Sequence, residues 1–98
     1  MIIIIIVHIW SGYRRYYRGL RDFLSSQPDV AQHIHIVPQE DPSITGNFEV
    51  TVLATGHILH SKRTRRQGKA DSSAERFAIV EQIKALICEM KEEKADGL

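Results

Sequence analysis

The chain is poor in the features that usually announce a chemistry. Its one cysteine, Cys88, cannot close an internal disulfide or furnish a multi-thiolate metal site, which excludes a disulfide-stapled secreted module and a zinc ribbon. An excess of one charge is missing too: 13 Lys and Arg stand against 12 Asp and Glu, a formal net charge of +1, so the net charge alone names no partner. The apolar run Ile2 to Val7 falls far below the roughly 20 residues of a membrane span and lacks the basic leader of a signal peptide. Internal repeats, low-complexity stretches and linkers are absent. What remains is 98 residues, 43% hydrophobic and 26% charged, enough for one core. The expectation is a single domain over 1–98 with a charged tail from about residue 91. The reducing compartment implied by the lone thiol is the cytoplasm, or an organelle such as the mitochondrion.

The apolar pattern then divides the chain. Ile2 to Val7 is β-branched throughout and predicts a strand apolar on both faces. Tyr13, Tyr16, Tyr17, Leu20, Phe23 and Leu24 recur at helical spacing, predicting an amphipathic helix of about four turns with Ser11 as N-cap and Pro28 closing the far end. Gly19 inside it predicts close packing at that point. His33 to Val37 alternates and predicts a second, half-buried strand ended by Pro38 and Pro42. Phe48, Val50 and Val52 mark a third strand, and His57 to Ser61 a fourth, joined through Thr55 and Gly56 as a hairpin. Lys62 to Ala70 is polar and basic and reads as a loop. The last helix starts at Ser72 or Ser73 and carries an apolar stripe of Phe77, Val80, Ile83, Ile87 and Met90. The order is β-α-β-β-β-α. A right-handed helical crossover makes the first two strands parallel, and two helices cover only one face of a four-stranded mixed sheet.

Several strings in this order resemble a known family. The first strand followed by Ser11-Gly12-Tyr13-Arg14 and Tyr17, the string Thr45-Gly46-Asn47-Phe48-Glu49-Val50-Thr51-Val52, and His60-Ser61-Lys62-Arg63 are similar to the corresponding segments of selenoprotein W and its Rdx relatives. The resemblance spans nearly the whole chain and implies a two-layer thioredoxin-like α/β fold. It also implies a redox motif, Cys-x-x-Cys or Cys-x-x-selenocysteine, whose two positions are occupied here by His8 and Ser11. Dithiol chemistry needs two sulfurs, so the family's oxidoreductase activity is not expected, and neither a catalytic residue nor a cofactor is assigned.

Other constellations are weaker. His8 and Ser11 as a hydrolytic pair lack an acid that any motif marks. His33 and His35 share a strand face, but the imidazoles of His57 and His60 belong to the hairpin at the opposite edge, so no metal is expected. Cys88 falls off the apolar stripe and reads as an inert thiol. Lys62, Arg63, Arg65, Arg66 and Lys69 form a basic loop without an acid between Glu49 and Asp71, and Arg14, Arg18 and Arg21 line a helix ridge. The expectation is therefore a redox-inactive binding or structural subunit, with no small-molecule substrate. It would meet a protein partner or large assembly through Trp10, Arg14, Arg18, Lys62, Arg63, Arg65 and Arg66 and the open apolar sheet face. Two alternatives stand beside it: a thiol redox protein working through Cys88, and a binder of RNA or another acidic surface through the loop 62–69.

Overall fold

A computed structural model describes residues 2–96, with side chains from 2 to 90. The isoleucine run forms β1, Ile3–Trp10, which continues three residues past Val7 because His8 and Trp10 extend its outward face. A 3-10 turn, Ser11–Tyr13, leads into α1, Arg14–Ser25. Pro28 does more than stop that helix. It occupies the first turn of a further short helix, α2, Pro28–Ala31, where its missing N–H costs nothing. Then follow β2, Ile34–Asp41, β3, Phe48–Val52, β4, Ile58–Ser61, a single helical turn α3, Lys62–Arg65, and the long α4, Ser73–Asp96. The backbone of 91–96, the charged tail, continues this last helix.

The sheet order is β2-β1-β3-β4, with β1 parallel to β2 and antiparallel to β3, and β4 antiparallel to β3. This is the thioredoxin-like arrangement, with both long helices on one face. The core lies between the layers: Ile3, Ile5, Val7 and Ile9 point inward from β1 and Phe48, Val50 and Val52 from β3, against Tyr17, Leu20 and Leu24 of α1 and Ile79, Val80, Ile83 and Ile87 of α4.

Three departures from the sequence pattern have physical causes. β2 runs through Pro38 to Asp41, because an edge strand tolerates a residue without an N–H on its solvent side. In β4 the pairing skips Leu59, since Val50 faces His60 and Thr51 faces Ile58. This bulge turns both Leu59 and His60 inward, each 0% exposed, where strict alternation would have left one of them outside. Phe77 is 54% exposed at the rim and meets Phe23 edge-on, while Ile79 fills the core position. Gly19 is indeed a point of close approach: a Cβ there would lie 2.7 Å from the Arg76 guanidinium.

The two faces of β1 predict opposite outcomes for one chemical change. Ile5→Ala should cost about 2–5 kcal/mol of stability, because it opens a cavity in a close-packed layer. Ile4→Ala, on the open face at 37% exposure, should cost under about 1 kcal/mol in the same urea titrations.

Candidate functional site

The C-terminal ends of the parallel strands β1 and β2, the start of α1 and the end of β4 all meet at one end of the sheet. Here the register sets Trp10 opposite Asp41 and His8 opposite Gln39 on β2 and Glu49 on β3. His8 points to the open face, and its Nε2 donates to Asp41 Oδ1. The other oxygen of Asp41 accepts from the Thr45 hydroxyl and, at 3.0 Å, from Asn47 Nδ2. Asp41 is 10% exposed and His8 42%, so the pair sits at the rim and not within the core. The Thr45 hydroxyl, followed by His8 and the Asn47 amide, holds the Asp41 carboxyl below the ordinary aspartate range, against the opposing effect of burial. Sequence reasoning missed Asp41 because it ended the strand at Pro38. Carrying β2 across the proline would have aligned the two residues.

Ser11 does not cap the helix as expected. It lies inside the 3-10 turn, whose N-cap is Trp10, while α1 is preceded by Tyr13, and neither cap makes a side-chain hydrogen bond. Ser11 is exposed, and no hydrogen bond joins it to His8. The serine and the histidine are therefore not assembled as a nucleophile and base, even though Asp41 supplies the acid that no motif marked. The N-cap role expected at the other helix does hold: Ser72 Oγ accepts from Glu75 N at 3.2 Å.

Trp10 is half-buried. Its six-membered ring lies so close to Gly12 that a Cβ there would fall 2.6–2.8 Å from three ring carbons, so only glycine seats the ring in this position. Trp10 meets Tyr13 edge-on at 5.0 Å, and Tyr13 meets Tyr16 at 5.7 Å. Lys69 Nζ stands 4.5 Å from the Tyr16 ring centre and Arg15 4.9 Å, distances at which a cation is attracted to a ring face. Arg15 Nη2 also donates to the Tyr16 hydroxyl at 2.9 Å, and this bond, with Lys69 second, holds the phenol below its ordinary range. Tyr13 and Tyr16 were not singled out as a site in the sequence, because they read as helix stripe, and Lys69 was read only as part of the basic loop.

The basic segment was expected to be a loop, but Lys62–Arg65 is a turn of helix, and it is built by an acid from another strand. Glu49 of β3 accepts from Ser61 Oγ at 2.6 Å, Lys62 N at 2.9 Å and Arg63 N at 3.3 Å, which satisfies the first turn's amides. Ser61 Oγ in turn accepts from Thr64 N at 2.9 Å, and Arg66 in the left-handed region closes the turn. Among the described residues Lys62, Arg63, Arg65, Arg66 and Lys69 make no ion pair. Arg14 differs: its guanidinium forks onto Glu40, which holds Glu40 below the ordinary carboxylate range. Arg18 is exposed on the same helix.

The remaining candidates lie elsewhere. Cys88 is at the opposite end of the sheet, exposed on α4 beside a cavity of about 280 Å³ lined by His33, Lys84, Asp29 and Gln32. His33 and His35 sit at the β2 edge, and His57 and His60 at the β4 edge; no group of three metal-binding side chains occurs among the described residues. His60 is fully buried, and its Nε2 donates to Gly68 O at 2.8 Å, so it is a core residue and not a solvated strand histidine. The sequence matches no protein-family model and no curated protein.

The Asp41 network predicts an acid-sensitive contribution to stability. Its folded carboxyl ionises at lower pH than an unfolded one, so the stabilisation is present above about pH 4, the ordinary aspartate value, and is lost as pH falls through the depressed folded value. In urea titrations the wild-type and Asp41→Asn proteins should differ at pH 7, and the gap should close below about pH 4. A gap that stays constant down to pH 3 would show that the carboxylate does not carry the effect.

Proposed function

We propose that this domain is a redox-inactive relative of selenoprotein W, kept as a binding or structural subunit of a larger protein or ribonucleoprotein assembly. One observation carries the reading. At the sheet end where the resemblance puts a redox pair, the two positions hold His8 and Ser11, and the His8 ring nitrogen is engaged with Asp41. The one cysteine lies at the far end of the sheet, too distant to serve as a resolving thiol there.

The open sheet face supports the binding half of the reading. Ile4 and Ile58 are each 37% exposed, Ile6 and Val37 on the same face are half-buried, and no helix covers them. A contiguous apolar face bordered by His8, Gln39 and Glu49 is the kind of surface that proteins use for partners. Among the described residues no helix is long and apolar enough to cross a membrane.

The purified protein should not reduce insulin disulfides with dithiothreitol or consume peroxide above a no-protein control. Activity that disappears in Cys88→Ser would instead establish a single-thiol redox protein. Ile4→Asp should release the domain from the high-molecular-weight fraction of a native extract while moving its urea midpoint little. Retention of that variant in the large fraction would remove the open face from the interface.

A further inference from the structure

We propose that the end of the sheet carries a site for single-stranded nucleic acid, in which Trp10 stacks a base and the neighbouring cations hold the phosphates on either side. This goes beyond the reading above, because it uses the sheet end and not the open face, and it holds whether or not the domain has redox activity.

Two independent features converge here. The first is an aromatic platform that is seated in advance: Trp10 lies against Gly12, with Tyr13 edge-on at 5.0 Å, and is half-buried, so the ring has a fixed position and retains exposed surface. Stacking on such a ring does not depend on base identity, because every base offers a π-face. The second is cationic charge with no acid to neutralise it. Lys69 and Arg15 stand at the Tyr16 ring, and the α3 turn follows directly from Ser61, whose partner Glu49 is paired with His8 on β1. Lys62, Arg63, Arg65 and Arg66 therefore leave the sheet at the same end as Trp10, and Glu49 spends its oxygens on Ser61 and the backbone of α3 and not on their side chains.

The two features together select the ligand. An acidic peptide would satisfy the cations and leave the aromatic face unused, whereas a single strand presents a phosphate and a base at every residue. The site also falls outside the carboxyl ends of the parallel strands β1 and β2, the end at which open α/β sheets commonly bind ligands.

Trp10 is the only tryptophan, so its fluorescence reports on the site directly. An eight-nucleotide oligouridylate should quench it saturably, and the binding constant should fall with salt. Lys69→Ala should flatten the log–log salt slope by about 0.7, the value for one phosphate contact to a single strand. Trp10→Leu, followed by anisotropy of a labelled oligouridylate, should weaken binding about ten-fold or more, and Gly12→Ala should weaken it with the tryptophan still present. Circular dichroism would confirm that each variant is folded, and quenching of the wild-type protein tests the idea without any variant. The proposal fails if oligouridylate gives no quenching at low salt, or if inorganic polyphosphate competes as well as the oligonucleotide and Trp10→Leu binds as wild type does. It also fails if polyglutamate or phosphatidylserine vesicles shift the fluorescence where the oligonucleotide does not.

Discussion

The central position of β1 is the constraint on which the rest of the structure depends. Its eight residues are paired with β2 on one side, and Ile5 to Ile9 also with β3 on the other, so both of its backbone edges are used. A strand held in this way has no freedom of register: moving it by one residue would carry Ile3, Ile5, Val7 and Ile9 to the open face and bring His8 into the core. The parallel pairing of β1 with β2 forces α1 to cross back over the sheet, which places the start of that helix beside the ends of both strands. His8, Trp10, Asp41 and the first tyrosines of α1 meet for this reason, although the chain separates His8 from Asp41 by 33 positions.

The segment after β4 obeys a different physics. From Ser61 to Ala70 it has no apolar stripe to bury, and only Ala70 and the Ser61 side chain are buried within it. Its shape comes from polar bonds to its neighbours. Glu49 anchors its start, Gln67 accepts from Ser61 N at 2.8 Å, His60 donates to Gly68 O, the Glu75 carboxylate accepts from Gly68 N, and Arg76 Nε donates to Ala70 O at 2.9 Å. The anchors come from β3, β4 and α4. A segment tied at this many points presents its lysines and arginines from a defined backbone, whereas an untethered basic loop would pay a larger ordering entropy on meeting a ligand.

This contrast explains which parts of the molecule were legible in the sequence. The element order, the parallel first pair and the one-sided helix layer follow from hydrophobic period, and Tyr17, Leu20, Leu24, Phe48, Val50 and Val52 occupy the buried positions that the period assigns. Features decided by a distant partner were not legible. The α3 turn exists because Glu49, 13 positions earlier, receives its amides, and a local propensity argument contains no trace of that carboxylate. The inward turn of His60 follows from a bulge, which hydrophobic alternation cannot register. Ser11 has the right chemistry for a cap but sits one step inside the 3-10 turn, where its side chain meets no amide. Among the candidate site residues, Trp10 and the arginines of the basic segment were visible as isolated residues. Their arrangement was not, because Tyr13, Tyr16 and Lys69 acquire their roles only from the packing of the helix start against residue 69.

The polar groups at the sheet end fall into two contrasting sets. Asp41 accepts from His8, Thr45 and Asn47, and Glu49 from three donors, so the two carboxylates nearest His8 are already saturated. The Asp41 carboxylate, its oxygens committed to these donors, is a weaker proton acceptor than an ordinary aspartate, since protonation must break those bonds. The cations of α3 are arranged in the opposite way: among the described residues Lys62, Arg63 and Arg65 make no ion pair, and Trp10, Tyr13 and Tyr16 keep part of their surface exposed. The proposed nucleic-acid site rests on this contrast between saturated acids and unpaired cations. That asymmetry comes from the backbone amides of α3 consuming Glu49, and it would be lost if that acid were released to pair with Lys62 or Arg63.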